Sequence, residues 1–518
     1  MRSLRGSLML GRRAQLPALV PILLLAAALR VVNLGGRTLW YDEAFAVLFA
    51  EKGLSAMVEG TLAQEGGAAA EEHPLLYYAL LGLWMDLVGQ SPVMVRLLSL
   101  FAGVLTLAGI YLLGADLFGR SAGVVAVFVA ALSPFHVQYA QEARMYALMA
   151  LWLVLATWCY VRAARSPGRG WRWWGAFATF AALSMYTQQL AAFYLIALAL
   201  FPVAARRWDL LGRVAVAGSG ALALYLPWLV NLPGQLGKIQ QAYWLAPPSL
   251  LQLSQTLLAL AAPVLELPLW VITGGLVAAL LAAALLAVRG LRVRRTVGWR
   301  LGLMLWLAFV PPALMFIAGQ FLPVYLLRAL LPCALMFYVA LGWLVAQGRA
   351  PRMVVAGLAA LWFTVGGAGL FYHYNWETFP NAPFDRAVAY IETHRQGGDI
   401  IMHSNKLTFL PMLYYGRDLP QTFVADPTGS PQDTLAPATQ RALGVRGSRS
   451  AQVAAAGAAR VWFVVFQREV AQTRDVDASS LGWLLANYTQ ADLVHFNDLD
   501  VYLFVEPDAS ARAAEFLP

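Results

Sequence analysis

Long apolar segments recur through the first 374 residues, and they constrain the fold more than any other feature. A helix needs about 20 apolar residues to cross the hydrocarbon core of a bilayer. The apolar segments near this length are 16–34, 74–90, 96–118, 121–140, 145–163, 171–188, 190–205, 211–230, 267–289, 300–319, 324–347 and 351–373. Of the 518 residues, 60% are hydrophobic and only 13% are charged, whereas soluble domains carry about a quarter charged residues. The chain is therefore predicted to be an integral membrane protein.

Clusters of arginine between the apolar segments predict how these segments cross the membrane. Basic residues concentrate in cytoplasmic loops, and here they occur at residues 2–13, 162–172, 206–213, 289–300 and 349–352. All clusters fall on the cytoplasmic side if segment 74–90, which is short and carries Asp86, lies on the outer face instead of crossing. A second outer interfacial helix is predicted at 249–266. About eleven helices then span the bilayer, and the net charge of +9 indicates membrane topology, with no nucleic acid as a partner.

The composition changes after residue 374, where acidic residues and short strand-like runs appear. GGDIIMHS and ARVWFVVF are typical of buried strands, PFDRAVAYIETHR of an amphipathic helix, and LVHFNDLDVYLFVE of two strands joined by a turn. The predicted fold class is mainly α: a polytopic membrane helical bundle with interfacial helices and a small C-terminal soluble α/β domain. We assign 1–374 to the transmembrane domain and 375–518 to the α/β domain. The same topology places the α/β domain outside the cytoplasm and the N-terminus inside.

Two adjacent acids, Asp42 and Glu43, follow the first apolar segment in the stretch LWYDEAFAV. The predicted topology puts them on the extracytoplasmic side. They are suited to the first turn of a helix, where the helix dipole favours carboxylates. A chemical role is compatible with that position, because adjacent helical residues point roughly 100° apart. One acid could face a reaction centre while the other anchors the loop or a metal ion.

A second acidic stretch, EEHPLLYY, returns to the same side with Glu71, Glu72 and His73. It is either the solvated start of a helix or a ligand cluster that meets the first pair across one loop. A carboxylate and an imidazole are ligands for divalent cations, so a metal ion is one interpretation that the sequence leaves open. The spacing matches no closed zinc site, and no other cofactor is indicated.

Arg144 and Tyr146 lie in YAQEARMYAL, between two apolar segments on the outer side. An arginine there runs against the positive-inside tendency, and its planar guanidinium is suited to hold a carboxylate or phosphate with two bonds. A surface ion pair with Glu142 is the alternative.

Arg328, in PVYLLRALLPCALMF, lies about one turn inside an apolar segment, where a charge is costly. It either extends towards lipid headgroups or holds an anionic lipid group in a cavity. Lys238, in the outer loop PGQLGKIQQAYW, is a weaker candidate for the same task.

Together these stretches resemble the GT-C superfamily of membrane glycosyltransferases, and most of all the bacterial branch similar to protein O-mannosyltransferases and aminoarabinose transferases. The resemblance rests on LWYDEAFAV, the segment from EEHPLLYY to LLGADLFGR, SPFHVQYAQEARMYAL, VYLLRALLPCALMF and the tail from FDRAVAYIETHRQGGDII. It extends along nearly the whole chain. It implies transfer of a sugar from a polyprenyl-phosphate carrier to an acceptor outside the cytoplasm, with inversion at the anomeric carbon.

The resemblance also implies roles for individual positions. Asp42 matches the catalytic aspartate of the first outer loop, and Glu72 the second outer-loop acid. Arg144 and Tyr146 match the polar turn between the third and fourth helices. Arg328 matches the basic residue that holds the carrier phosphate. The chain departs from many relatives in reading His-Pro-Leu at His73 in place of His-Pro-Pro, and from some relatives in carrying Gln188 in place of a histidine.

The resemblance thus implies an inverting glycosyltransferase of the inner or plasma membrane, with a polyprenyl-phosphate-linked sugar as donor and a lipid, glycan or protein hydroxyl as acceptor. Asp42 would accept the proton of the acceptor hydroxyl, while Arg328, with Arg144 or Lys238, would compensate the charge of the leaving phosphate. Glu43 would cap or support the loop. The alternatives are a lipid or solute transporter without transferase chemistry and an assembly subunit whose soluble tail binds other envelope proteins. The absence of an evident internal repeat disfavours a transporter.

Overall fold

The computed structural model describes residues 16–65, 68–71, 73–166, 170–241, 245–292, 294–427, 429–430, 432–472 and 479–507. Helices dominate as far as residue 374. They are α1 (Leu16–Val31), α2 (Tyr41–Ala50), α3 (Gly53–Leu62), α4 (Leu76–Val88), α5 (Pro92–Phe118), α6 (Arg120–Ala131), α7 (Pro134–Ala140), α8 (Tyr146–Ala164), α9 (Trp171–Thr187), α10 (Ala191–Ala204), α11 (Trp208–Leu229), α12 (Leu232–Gln241), α13 (Leu250–Leu258), α14 (Leu269–Arg292), α15 (Arg294–Gly319, interrupted at Gly298), α16 (Leu331–Gln347, after a 3-10 turn at Leu327–Leu330) and α17 (Arg352–Tyr374). A short hairpin, β1 (Gln64–Glu65) and β2 (Ala68–Ala69), follows α3.

Within these described residues, seven helices are long and apolar enough to cross a bilayer, or eight if α6 and α7, which meet at a bend of 67°, form one broken span. The chain is thus a multi-pass membrane protein. Helices α1, α9 and α10 lie in segments that we expected to cross but are shorter, so the count of about eleven crossings stays a prediction. The two segments expected at the interface form the short helices α4 and α13.

Small residues allow the membrane helices to approach each other closely. A Cβ atom on Gly342 of α16 would collide with the carbonyl oxygen of Ala122 in α6. Without a hydrophobic driving force between helices in lipid, such close packing supplies much of their association energy. Cys159 and Cys333 are buried and free.

The C-terminal part contains a five-stranded mixed sheet with the strand order β4-β3-β5-β7-β6. Strand β3 is parallel to both of its neighbours, whereas β7 is antiparallel to β5 and β6. The elements are α18 (Phe384–His394), β3 (Ile400–His403), α19 (Lys406–Tyr415), β4 (Gln421–Phe423), α20 (Pro437–Leu443), α21 (Ala451–Ala454), β5 (Arg460–Phe466), α22 (Gln467–Gln472), α23 (Ser480–Asn487), β6 (Thr489–Phe496) and β7 (Leu499–Val505).

Helix α18 shows why this sequence folds onto the sheet. Its buried residues Phe384, Ala387, Val388 and Ile391 follow the i, i+3, i+4, i+7 spacing of one helix face. That face packs against the core that includes Trp462 of β5.

The C-terminal part packs directly on the loop that precedes α2. The Thr38 hydroxyl donates to the Ala382 carbonyl oxygen at 2.6 Å, and the Asn381 side chain donates to the Thr38 carbonyl oxygen at 3.2 Å. The Tyr415 hydroxyl accepts the Leu39 backbone N–H at 2.9 Å. These bonds hold the segment just before Asp42 on both sides. The division of the chain at residues 374 and 375 stays a prediction.

Candidate active site

Helix α2 brings Asp42 and Glu43 into its first turn, directly after the extended residue Trp40. The two carboxylates point to different surroundings. The side chain of Glu43 is only 1% exposed and forms a forked ion pair with Arg96, with distances of 2.8 Å from Nε to Oε1 and 2.7 Å from Nη2 to Oε2. The Ala143 backbone N–H also donates to Glu43 Oε1 at 2.8 Å. Glu43 is therefore fully engaged inside the protein.

Arg96 connects this ion pair to the loop before α2. Its guanidinium donates to the carbonyl oxygens of Leu34, Arg37 and Thr38 at 2.7, 2.8 and 3.0 Å. A loop without regular structure leaves its carbonyl groups without partners, and a buried guanidinium with five N–H donors satisfies several of them. Arg96 and Glu43 thus position the loop that carries Asp42.

Asp42 is paired with Arg144 and Arg328, the two arginines that the sequence singled out. Its Oδ2 lies 2.6 Å from Arg328 Nη1 and 3.6 Å from Arg144 Nη2, and Arg144 Nη1 also donates to the Asp42 carbonyl oxygen at 3.0 Å. Burial alone would raise the pKa of Asp42, but the positive charges of Arg144 and Arg328 hold it below its ordinary value of 3.8. Asp42 is therefore an ionised carboxylate at neutral pH.

Aromatic rings surround Arg328. The centre of its guanidinium lies 4.9 Å from the ring centroid of Tyr146 and 5.7 Å from that of Trp40. A cation over such ring faces is stabilised by the ring quadrupole. Arg328 consequently lies between an acid and two rings, an arrangement that differs from the alternative of a side chain extended towards lipid headgroups.

Glu142 is buried, and its carboxylate forms no hydrogen bond or ion pair with any residue that the structure describes. The alternative of a surface pair between Glu142 and Arg144 is therefore wrong, because Arg144 turns to Asp42. Burial raises the pKa of Glu142 to about 7, with a further contribution from the charge of Glu43.

The second acidic stretch contributes a partly buried pair. His73 Nδ1 lies 2.6 Å from Glu71 Oε1, and the imidazole is close enough to Asp42 to contribute to lowering its pKa. Glu72 lies outside the described residues. Among those that are described, no three His, Cys, Asp or Glu side chains are grouped so that they could hold a metal ion.

Lys238 is engaged elsewhere. Its ammonium donates to the carbonyl oxygen of Asp433 in the C-terminal part at 3.3 Å. The structure thus brings together Asp42, Arg144, Tyr146 and Arg328, with His73 nearby, whereas Lys238 is bound outside this group.

A cavity of about 610 Å³ opens beside this group. Its polar wall includes Arg328, Trp40 and Glu142, and its apolar wall includes Leu251 and Leu258 of α13. A second cavity of about 230 Å³, almost entirely apolar, lies on the other side of α13, and Leu327 lines both. A cation placed where polar space meets apolar space can bind the headgroup of an anionic lipid while the lipid tail stays in the apolar space.

Two buried arginines near Asp42 did not emerge from the sequence. Arg96 lies near the start of a long apolar helix, on the side that the sequence predicts to be extracytoplasmic, so its position against the positive-inside tendency was an available signal. Arg37 lies only five residues before Asp42 and lines the larger cavity. The ion-pair partner of Arg96, Glu43, lies 53 positions away in the sequence, so no local pattern reveals it.

The chain is similar to one protein family in part of its sequence and to known structures in its fold. Residues 72–230 match the family model of dolichyl-phosphate-mannose-protein mannosyltransferases. The structure of ArnT from Cupriavidus metallidurans bound to undecaprenyl phosphate is similar, with a TM-score of 0.61, 12% identity, and coverage of 93% of this chain and 97% of that chain. The oligosaccharyltransferase AglB from Archaeoglobus fulgidus, in complex with an inhibitory peptide and a dolichol-phosphate, has a TM-score of 0.54, 11% identity, and coverage of 98% and 75%.

No curated protein sequence matches the chain. At identities near these values the structural likeness concerns the fold, and it confirms the predicted fold class.

Proposed function

We propose that the chain, which has the GT-C fold, is a membrane glycosyltransferase that transfers a sugar from a polyprenyl-phosphate carrier to an acceptor hydroxyl on the extracytoplasmic face. The observation that carries this proposal is the ion pair between Asp42 and Arg328 beside the larger cavity. The pair places a carboxylate, which can accept a proton, next to a guanidinium, which can bind phosphate. The known ligands of the similar structures, undecaprenyl phosphate in ArnT and dolichol-phosphate in AglB, support the choice of carrier. Neither the family match nor the fold supports a transporter.

Arg328 is the residue that we assign to the carrier phosphate. Its guanidinium lies where the polar cavity meets apolar space, so a polyprenyl tail can remain in the apolar region while its phosphate reaches the cation. Charge compensation by an arginine makes phosphate a better leaving group. Arg144 and Tyr146 complete the surroundings of Arg328 and Asp42.

Asp42 is the residue that we assign as general base. An ionised carboxylate is ready to accept a proton, but two arginines make it a weak base by lowering its pKa. When a carrier phosphate binds Arg328, the guanidinium shares its hydrogen bonds between phosphate and carboxylate. The pKa of Asp42 then rises, so that donor binding strengthens the base.

The reaction is then a single displacement. The acceptor oxygen attacks the anomeric carbon as its proton passes to Asp42, and the bond between that carbon and the phosphate oxygen breaks. The electron pair of the broken bond leaves with the carrier phosphate, next to Arg328. One displacement inverts the anomeric configuration.

The other candidate residues receive supporting roles in this proposal. Glu43 holds the loop through Arg96, and Glu72 and His73 are assigned to the acceptor side of Asp42. Lys238 stays a candidate for the donor phosphate only if it leaves Asp433. No step is routed through a metal ion. The proposal includes a cytoplasmic N-terminus and an extracytoplasmic C-terminal part, because this topology puts the basic clusters inside.

The test is sugar transfer by purified protein in lipid nanodiscs that contain polyprenyl-phosphate sugars and envelope acceptors. We expect Asp42→Asn to lower the transfer rate by about 10²–10⁴-fold, the usual contribution of a general base. Glu59→Gln, which neutralises an exposed acid on α3, is the matched control and should transfer at the wild-type rate. Equal transfer by folded Asp42→Asn and wild-type protein would refute the assignment of the base.

A further inference from the structure

Arg37 is a buried cation without an anionic partner. The residue is only 7% exposed, yet its guanidinium forms no hydrogen bond or ion pair with any described residue. Only its backbone carbonyl is bonded, to Arg96. Burial, together with the charge of Arg96, lowers the pKa of Arg37 to about 10. Leaving a buried charge without a hydrogen-bond partner is costly, so its retention at this place needs an explanation.

The surroundings of Arg37 provide one. It lines the same cavity of about 610 Å³ as Arg328 and Glu142. Arg328 is already neutralised by Asp42 at 2.6 Å, and the remaining arginine on this wall, Arg468, is exposed and stacks over Phe379. Arg37 is therefore the buried cation of this wall whose charge no described acid contacts.

Glu142 links the two buried arginines of the cavity. Its carboxylate interacts electrostatically with both Arg328 and Arg37, but it forms no hydrogen bond or ion pair with either of these guanidinium groups. A molecule in the cavity would thus meet one guanidinium that is engaged with the catalytic acid and a second that is free to bind.

We propose that Arg37 is a second oxyanion-binding residue of the enzyme, which holds a phosphate or carboxylate group of a molecule in the larger cavity. A guanidinium binds either group through two parallel hydrogen bonds. The oxyanion comes from the carrier phosphate, shared with Arg328, or from an acidic group on the sugar or acceptor. The identity of the carrier rests on the proposed function, whereas the oxyanion site itself does not.

The melting temperature of an Arg37 variant distinguishes a binding role of this arginine from a structural role. Arg37→Gln removes a buried charge but breaks no side-chain bond to a described residue. The variant without ligand should therefore melt at the wild-type temperature or above it. A structural arginine such as Arg96, which has five bonds, should behave in the opposite way.

The experiment measures binding, so it needs no transfer activity. A short-chain polyprenyl phosphate, the corresponding polyprenyl alcohol and glucuronate are titrated into wild type, Arg37→Gln, Arg37→Lys and the surface control Arg386→Gln. Loss of one charge-assisted bond pair corresponds to about tenfold to hundredfold weaker binding. We expect Arg37→Gln to weaken either polyprenyl phosphate or glucuronate by this factor, with polyprenyl alcohol unchanged and with partial recovery in Arg37→Lys.

Each outcome is decisive. Weaker binding of polyprenyl phosphate assigns the oxyanion to the carrier, and weaker binding of glucuronate alone assigns it to the sugar or acceptor. Unchanged binding of both anions overturns the proposal, as does a lower melting temperature of Arg37→Gln in the absence of ligand. If Asp42→Asn transfers normally while Arg37→Gln loses anion binding, the proposed base is wrong and the oxyanion site stands.

Discussion

Replacing Arg96 by methionine should destabilise the protein strongly, because Arg96→Met leaves a buried carboxylate behind. Arg96 and Glu43 are each 1% exposed at their side chains and lie 2.7 Å apart. Removing one partner of such a pair costs about 3–5 kcal/mol, since the other charge stays buried without compensation. The carbonyl groups of Leu34 and Thr38 lose their donor as well, so we place the cost in the upper half of that range.

The ion pair itself contributes much less than this figure. Replacing both members with apolar residues of similar volume is often neutral. The double variant Glu43→Leu, Arg96→Met should therefore be more stable than Arg96→Met alone, although the carbonyl groups that Arg96 satisfied are still unpaired. A double variant that is more stable than Arg96→Met would show that the cost comes from the buried charge of Glu43, because a simple loss of packing would make the double variant less stable.

The assay is unfolding in detergent micelles, followed by tryptophan fluorescence and combined with donor kinetics of the surviving folded fraction. Because Arg96 positions the loop that carries Asp42, kcat should fall in Arg96→Met while the KM for donor changes little. The exposed variant Arg386→Met serves as control. A cost below about 1 kcal/mol, typical of an exposed ion pair, or strictly additive effects in the double variant, would contradict the reasoning.

Two further predictions concern the cavity. Arg328→Ala should weaken binding of polyprenyl phosphate by about tenfold or more, measured by titration against Arg386→Ala, and unchanged affinity would count against its role in donor binding. Glu142→Gln should change how the free energy of unfolding depends on pH. Burial raises the pKa of the Glu142 carboxyl from 4.5 to about 7, so the protonated carboxyl favours the folded state. This contribution is complete below pH 4.5 and is lost as the pH rises through 7. Melting curves from pH 5 to 8 should therefore show wild type losing stability relative to Glu142→Gln, by up to about 3 kcal/mol, and parallel curves would refute the shift.

The sequence revealed the elements of this fold better than the contacts between them. Long apolar runs predict membrane helices and short apolar runs predict buried strands, so α5, α14 and β5 lie where they were expected. Strand β4 was missed because three residues, Gln421–Phe423, are too few for a pattern. Its neighbour β3 supplies the pairing that stabilises it.

In the candidate active site too, the sequence revealed single residues better than the contacts between them. Asp42 and Arg328 were identified one at a time, from a charge at a membrane border and a charge inside an apolar segment, but their ion pair joins residues 286 positions apart. The partner of Glu43 is 53 positions away, in a helix that reads as an ordinary membrane span. A single sequence shows where a charge is costly, whereas the three-dimensional fold decides which opposite charge compensates it.

The contrast between Asp42 and Glu43 follows from the nature of their partners. Both acids lie in the first turn of α2 and pair with an arginine, but a helix turns by about 100° per residue. Glu43 consequently enters the protein, where Arg96 is also bonded to three carbonyl groups and cannot leave without breaking them. Asp42 faces Arg328, whose side chain is 14% exposed and lines a cavity. An anion that enters the cavity can compete for Arg328 but not for Arg96, so only Asp42 has a basicity that a substrate can change.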